Sequence, residues 1–200
     1  QVLSPEQEQD YVSALARIDA GEPLAYVTGS QPFWTLDLIV TPDTLVPRPD
    51  TEVLVETVLR LDLPEDARVV DLGTGTGAVA LSLASEREEW VITATDIYEP
   101  TLAVAQRNAE KHDLNQVKFI CGDWFSPLGR QYYDVIVSNP PYIIQQGKKH
   151  LTIHGWIVLE HGYDQADAVQ HIFKDAGFKQ VRTVKDYGGN DRVTLGQWQH

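Results

Sequence analysis

Apolar and polar residues follow two different periodicities along the chain, and these predict where helices and strands lie. The first predicted helix begins at Ser4, which can form a capping box with Gln7, and it ends at Gly21. Its apolar positions, spaced as on one helical face, are Tyr11, Leu15 and Ile18. Because little else nearby could cover this face, residues 1–21 are expected to be the remnant of a larger helical unit or an attachment to the main domain.

The next segment, 22–50, has the short alternating pattern of strands rather than the spacing of a helix. Its apolar residues are Phe33, Trp34, Leu36, Leu38 and Val40. Turn-forming pairs lie at 29–30 and 42–43, on either side of them. We predict a β-hairpin that links the first helix to the rest of the chain.

Beyond this linker, short apolar runs alternate with helical stretches. The predicted strands are 68–72, 90–95, 117–121, 134–138, 156–160, 181–187 and 192–198. The predicted helices are one that opens within 46–52 and runs to about residue 61, then 78–85, 100–111 and 165–176. Such alternation is typical of an α/β fold whose mostly parallel sheet is covered on both faces. The last two strands flank Gly188–Asn190, so we predict a C-terminal antiparallel hairpin.

The composition limits the classes of function. The 200 residues include 16 basic and 29 acidic side chains, a formal net charge of −13 that argues against nucleic acid as the main ligand. The one cysteine, Cys121, leaves no internal disulfide or cysteine-based zinc site, which suits the cytoplasm. No apolar run is long enough for a membrane span. Since the chain starts at Gln1 and contains no methionine, we expect it to be part of a longer protein.

A glycine-rich turn directly follows the predicted strand 68–72 and opens the next helix. Its residues are Gly73, Thr74, Gly75, Thr76 and Gly77. Glycine permits positive φ and lets a ligand approach the backbone closely. The spacing differs from the dinucleotide-binding fingerprint, and no Gly-Lys-Ser/Thr follows as in a P-loop. On its own, such a turn could equally be a tight connection without a ligand.

Two further strand ends carry polar or aromatic side chains. Asp96 ends the next predicted strand and could accept hydrogen bonds from two ribose hydroxyls, although it could also cap the following helix. Asp123 and Trp124 follow the third strand and could bind the amino group and the ring of adenine. A core position is the alternative for Trp124. Since no Lys or Arg lies in the glycine turn, the set predicts a nucleoside cofactor without phosphates.

The segment Asn139-Pro140-Pro141-Tyr142 follows the fourth predicted strand. Prolines lack N–H donors, so carbonyl groups there remain free to accept hydrogen bonds, and the Asn139 side chain adds another acceptor. Together with the flat ring of Tyr142, they could orient a planar NH₂ group. Such a nitrogen is a weak nucleophile that positioned acceptors can activate. A plain Pro-Pro loop is the alternative.

In this order, the motif Asp71–Gly77, Asp96, Asp123 with Trp124, and Asn139–Tyr142 resemble the class I S-adenosylmethionine-dependent methyltransferases. Four further segments narrow the resemblance to the HemK/PrmC family, and they are Gly21–Gly29, Phe33-Trp34, Val46–Glu52 and Tyr187–Val193. The resemblance covers residues 4–198. It implies a seven-stranded Rossmann-like methyltransferase sheet over 51–200.

The resemblance also implies a reaction, in which a methyl group passes from S-adenosylmethionine to the N5 nitrogen of the glutamine in the Gly-Gly-Gln motif of class 1 peptide chain release factors. S-adenosylhomocysteine is then the product. By motif, Gly73–Gly77 would line the methionine part of the cofactor, Asp96 the ribose, and Asp123 and Trp124 the adenine. A cytoplasmic monomer with no metal and no direct contact to nucleic acid is expected.

The substrate side follows from the same resemblance. Asn139 and the Pro140 carbonyl would accept from the glutamine amide, Pro141 would stiffen the segment, and Tyr142 would pack on the amide. Asn139 would also adjoin the cofactor. Asn139, Pro140 and Tyr142 would thus be catalytic, and no residue need act as a nucleophile.

The chain departs from the family pattern at two places. The family has a longer N-terminal helical domain, and it carries a substrate-facing loop with a Phe-Glu-Pro motif and a helix between Tyr142 and Gly155, where this chain has 12 residues. A parallel crossover needs roughly a dozen residues or more. We therefore expect a break in the chain, with an omitted loop, within 143–148.

Three other functions stay open on the sequence. An adenine N6-methyltransferase acting on nucleic acid shares the Asn-Pro-Pro-Tyr motif, but the charge of −13 counts against it. A non-catalytic module that binds S-adenosylmethionine would not need that motif. A redox enzyme with a dinucleotide is disfavoured by the glycine spacing.

Overall fold

The structure is a computed structural model that describes residues 3–138 and 143–199. The described helices are α1 (Pro5–Asp19), α2 (Leu24–Thr28), α3 (Glu52–Leu59), α4 (Ala78–Glu86), α5 (Glu99–Lys111), α6 (Ile144–Gly147) and α7 (Ala166–Asp175). The strands are β1 (Ser30–Phe33), β2 (Leu36–Ile39), β3 (Arg68–Leu72), β4 (Val91–Asp96), β5 (Lys118–Cys121), β6 (Tyr133–Ser138), β7 (Leu151–Glu160), β8 (Lys179–Lys185) and β9 (Asp191–Gln197). Short 3-10 turns lie at Pro49–Thr51, Ser126–Leu128 and Lys148–His150.

The main sheet has seven strands in the order β5-β4-β3-β6-β7-β9-β8. The five strands from β3 to β7 are parallel to one another, whereas β9 runs antiparallel to both β7 and β8. The predicted fold class is therefore confirmed. Because the chain winds outward from β3 in one direction and from β6 in the other, a crevice opens at the carboxyl ends of β3 and β6, where such sheets bind ligands.

The sheet is buried on both faces, as its near-continuous apolar strands predict. Successive residues of β3 enter different core clusters: Val69 packs with α3 and α4, and Val70 packs on the face covered by α7. In β6, Val135 joins the first cluster and Ile136 the second. This alternation is the two-residue period of a strand placed between two layers of helices.

The N-terminal segment partly agrees with its predictions. Ser4 and Gln7 form the predicted capping box of α1, and none of the residues of that helix is buried. The predicted hairpin is present as β1 and β2. Its reversal lies at Trp34 and Thr35 rather than at either predicted turn pair, and Trp34 has a φ of 55° there. The short α2, before the hairpin, escaped prediction because it has a single buried residue, Ala25.

The connection from β6 to β7 leads into a longer strand than predicted. Residues 143–148, where the sequence predicts an omitted loop, form α6 and the start of a 3-10 turn, and Ile143 and Ile144 are fully buried. β7 begins at Leu151, five residues before the predicted start, and Leu151 pairs with Tyr133 at the beginning of β6. Residues 139–150 separate these two parallel strands along the chain, which is at the lower limit of length for a parallel connection.

Candidate active site

The glycine-rich turn connects β3 to α4 at the carboxyl edge of the sheet. Gly73, Gly75 and Gly77 have φ values of 77°, 58° and 84°, which an L-residue with a side chain rarely adopts. Within residues 3–138 and 143–199, no atom lies within 4 Å of a Cβ atom built on Gly73 or Gly75. The turn therefore presents bare backbone to open space, and a ligand could approach it closely.

The turn is anchored to the neighbouring strand. The N–H groups of Gly73 and Thr74 both donate to the Thr95 carbonyl, each at 2.9 Å. At Gly77, by contrast, an added Cβ would lie 3.0 Å from Leu81 Cδ1 and 3.3 Å from the Ala105 Cβ. Gly77 thus permits close packing of the turn against α4 and α5, whereas Gly73 and Gly75 leave room for a ligand above the turn.

Asp96 is brought next to the turn, as predicted from its place at the end of β4. Its Oδ2 accepts the Gly75 N–H at 3.1 Å, and its Oδ1 accepts the Tyr98 N–H at 3.2 Å. The second bond is local, but it reaches the residue before α5, and that helix has no side-chain cap, so the helix cap that the sequence offered as the alternative is not formed. Each carboxylate oxygen has further lone pairs, so these bonds fix the group and leave it able to accept from two hydroxyls.

Asp123 and Trp124 follow β5 on the far side of Asp96. The Gly122 N–H donates to the Asp96 carbonyl at 3.0 Å, which holds this segment beside the end of β4. The Asp123 side chain is exposed, while its carbonyl accepts from the Ser126 N–H at 2.9 Å and hydroxyl at 2.7 Å. Trp124 is half-buried against the second core cluster. The tertiary structure therefore brings the two predicted cofactor positions after β5 to the same edge as the glycine turn.

The four residues Asn139, Pro140, Pro141 and Tyr142 lie outside the described residues. The strand that leads to them ends at Ser138, which pairs with Leu72 of β3 and donates from its hydroxyl to the Leu72 carbonyl at 2.9 Å. The described strand thus ends beside the residue that immediately precedes Gly73.

One group at the turn was quoted within the sequence motif but given no role. Asp71 lies in β3, is 4% exposed, and accepts the Thr74 hydroxyl at 2.6 Å. Burial raises the pKa of its carboxyl to about 6, because loss of water disfavours the charged form more than the Thr74 hydroxyl and the Ala80 N–H favour it. An acid within an apolar strand, directly before the glycines, was the available signal.

Asp71 gives a prediction for pH dependence. The unfolded chain ionises this group near the ordinary value of 3.8, and the folded chain near 6, so the contribution of Asp71 to stability is fully present below 3.8 and is lost as the pH rises through 6. Asp71→Asn keeps an acceptor for Thr74 but cannot ionise. Between about pH 4 and about pH 7.5, its free energy of unfolding relative to the unaltered chain should rise by roughly 2–3 kcal/mol.

Urea unfolding at several pH values measures this difference. Exposed Asp113, replaced by Asn, serves as the control for the removal of a carboxyl group as such. Parallel stability curves for the unaltered chain and Asp71→Asn would show that Asp71 ionises at its ordinary pKa.

A second polar cluster, not found from the sequence, lies at the carboxyl end of β7. Arg192 Nη2 lies 3.0 Å from Asp186 Oδ2 and 3.3 Å from Asp50 Oδ2. The Asn190 N–H and the guanidinium hold the pKa of Asp186 below its ordinary value, while burial raises the pKa of Glu160 nearby. One guanidinium therefore joins the turn before α3 to the β8–β9 hairpin.

Two further observations concern the described part of the chain. Within residues 3–138 and 143–199, no group of three or more His, Cys, Asp or Glu side chains is arranged to hold a metal ion. No helix among these residues has the length and apolarity that crossing a membrane requires.

This sheet, with an open glycine turn next to a fixed acid, has the architecture of a methyltransferase. The family model described as "Methyltransferase small domain" matches residues 49–165. The similar proteins include ones named release factor glutamine methyltransferase from Aliivibrio fischeri (38% identical), Escherichia coli (41%) and Pseudomonas aeruginosa (42%). Each match covers 98% of this chain and 81–83% of the relative. The chain belongs to the release factor glutamine methyltransferase family and is an enzyme.

Solved structures agree with this assignment. A protein-(glutamine-N5) methyltransferase from Alicyclobacillus acidocaldarius is 32% identical, with a TM-score of 0.51 over 80% of this chain and 99% of that one. A methyltransferase from Pyrococcus furiosus reaches a TM-score of 0.70 at 20% identity, covering 94% of this chain and 99% of the other. At that identity, the second likeness concerns the fold alone.

Proposed function

We propose that this chain transfers a methyl group from S-adenosylmethionine to the side-chain N5 of the glutamine in the Gly-Gly-Gln motif of class 1 peptide chain release factors. The observation that carries the proposal is the match to relatives named release factor glutamine methyltransferase over 98% of the chain. The products are S-adenosylhomocysteine and the N5-methylated glutamine, and the surplus amide proton leaves to solvent.

The described residues fit the proposed cofactor. Space above Gly73 and Gly75 admits a ligand to the backbone, and Asp96, already fixed by two N–H groups, can accept from the ribose hydroxyls. Asp123, which is exposed, and Trp124, which is half-buried, would contact the adenine. When bound, S-adenosylmethionine supplies a methyl group on a positively charged sulfur. Because this cofactor contains no phosphate, the turn needs no phosphate-binding lysine.

The substrate side rests on the sequence of 139–142. The nitrogen of a glutamine amide is a weak nucleophile because its lone pair is delocalised. Asn139 and the Pro140 carbonyl can accept its two protons, Pro141 limits the freedom of the segment, and Tyr142 can pack on the amide plane. Acceptors that are fixed in advance also stabilise the positive charge that develops on the nitrogen during attack.

The proposed organisation has a helical segment at 1–21, a hairpin linker at 22–50 and the methyltransferase domain at 51–200. Relatives carry residues that this chain lacks, since the alignments run over 229–231 residues and the chain has 200. We place some of these in the substrate-facing loop that the family carries after the Asn-Pro-Pro-Tyr motif, near 143–148.

Incubation with S-adenosylmethionine carrying a labelled methyl group, together with a class 1 release factor, tests the proposal. Label should appear on the glutamine of the Gly-Gly-Gln motif, as located by peptide mass spectrometry. A release factor with that glutamine replaced by alanine is the matched control and should stay unlabelled.

Two other outcomes would favour the alternative functions. Label on adenine in DNA or RNA, with none on the release factor, would favour an adenine N6-methyltransferase, against the charge of −13. Binding of S-adenosylmethionine without transfer to any of these substrates would favour a non-catalytic module.

A further inference from the structure

One buried amide side chain joins two segments that are distant in sequence. Asn108 of α5 is 0% exposed. Its Nδ2 donates to the Ile39 carbonyl at 3.0 Å and to the Thr76 carbonyl at 2.9 Å, while its Oδ1 accepts the Ile39 N–H at 2.6 Å. Carbonyl groups only accept and N–H groups only donate, so these partners leave one possible orientation of the amide.

The two segments are the glycine turn and the hairpin linker. Thr76 lies inside the turn, between Gly75 and Gly77, and is 2% exposed. Ile39 ends β2, and both of its backbone polar groups bond to Asn108, much as they would to a neighbouring strand. Since all three backbone groups are buried or half-buried, losing the amide would leave them without their partner.

The same helix packs directly against the turn. Ala105, three residues before Asn108, has its Cβ 3.3 Å from the place where a Cβ on Gly77 would lie. This close contact leaves little room for the turn to shift relative to α5. The position of the Thr76 carbonyl is thus set by α5 through both packing and the hydrogen bond.

Other side chains of α5 hold the hairpin segment without reaching the turn. The Thr101 hydroxyl donates to the Asp43 carbonyl at 2.7 Å. Lys111 Nζ donates to the Asp37 carbonyl at 2.6 Å and to its carboxylate at 2.7 Å. Within the described residues, Thr101 and Lys111 thus hold only the hairpin segment, whereas Asn108 holds both the hairpin and the turn.

We propose that Asn108 is a positioning residue that couples the hairpin linker to the cofactor-binding turn. The inference rests on the proposed function, in which residues 73–77 hold S-adenosylmethionine. Through the hydrogen bonds of Asn108, an ordered hairpin holds the turn in the conformation that binds the cofactor. By the reciprocity of binding free energies, cofactor binding stabilises the hairpin in return.

The test compares variants of α5 by calorimetric titration with S-adenosylhomocysteine, well below the unfolding temperature of each variant. Asn108→Ala should raise the dissociation constant about tenfold, as expected for the loss of a buried hydrogen bond that fixes the site. Thr101→Val and Lys111→Met should change the dissociation constant by less than about twofold, although they remove contacts to the same hairpin segment.

Two results would overturn the coupling. One is an unchanged dissociation constant for a folded Asn108→Ala, which would make Asn108 a purely structural residue. The other is an equal loss of affinity in all three variants, which would indicate general loosening of α5. If the unaltered chain does not bind S-adenosylhomocysteine, the proposed cofactor fails, and the coupling fails with it.

Amide hydrogen exchange on the unaltered protein decides the matter if Asn108→Ala does not fold. Saturating S-adenosylhomocysteine should slow exchange at the Ile39 N–H at least about threefold, because that N–H bonds to Asn108. Exchange at Ile39 that does not respond to the ligand, while the ligand is bound, would overturn the proposal.

Discussion

Asn139→Ala is expected to lower kcat about a hundredfold or more, while the dissociation constant for S-adenosylmethionine stays within about twofold. The reason is the chemistry of the proposed acceptor. An amide nitrogen attacks poorly unless its protons are held and its developing positive charge is stabilised, and the Asn139 side chain supplies one of the two proposed acceptors. Removing it should therefore weaken the transition state far more than the bound cofactor.

Single-turnover kinetics and calorimetric titration with the cofactor separate these two effects. Ser138→Ala is the matched control at the adjacent position, since it removes one hydrogen bond from a hydroxyl group to the Leu72 carbonyl. It should leave kcat within about twofold of its original value. Equal losses of cofactor affinity and of rate in Asn139→Ala would contradict a role in orienting the substrate.

Arg192→Met is expected to lower the midpoint of thermal unfolding by about 10 °C. The Arg192 side chain is 15% exposed and lies within 3.3 Å of the carboxylates of Asp50 and Asp186. Its charge also favours the ionised form of Glu160. Breaking a buried ion pair by removing one partner leaves the other charges without compensation. Here the loss would also detach the turn before α3 from the β8–β9 hairpin.

Scanning calorimetry of three proteins checks this prediction. Lys185→Met, on the same hairpin, removes the exposed pair with Asp191, and it should shift the midpoint by no more than about 2 °C. Arg192→Lys, which keeps the charge but not the planar fork, should fall between the two. A loss in Arg192→Met no greater than that in Lys185→Met would show that the cluster adds nothing beyond a surface pair.

The sequence predicted the elements of the main sheet because their patterns are local. A strand buried on both faces, such as β3, is a short apolar run in the sequence. The start of a capped helix such as α1 is indicated by the capping residue, here Ser4. The glycine turn was equally visible, because positive φ selects glycine at 73, 75 and 77. The resemblance to a family, carried by motifs in a fixed order, was confirmed by the relatives.

Other features depended on neighbours that a local pattern does not reveal. β7 starts at Leu151 because β6 offers a partner at Tyr133, whereas the sequence pattern placed the start of this strand at Trp156. Ile143 and Ile144, at the start of α6, are buried in the second core cluster. In both cases the contacts that decide the structure are made with segments distant along the chain.

By itself, the sequence determined the fold class, the order of the main elements, the glycine turn and the family. Backbone preferences and the spacing of buried residues depend on residues close together in the sequence, so a local pattern reveals them. Only the tertiary structure decided which buried polar groups meet. Asn108 with Thr76 and Ile39, Arg192 with Asp50, and the raised pKa of Asp71 all arise where the fold removes water from polar atoms and supplies a chosen partner. For Asn108 and Arg192 these partners lie in other elements, so the neighbouring residues in sequence carry no signal of them, whereas for Asp71 the fold decides the burial that raises its pKa.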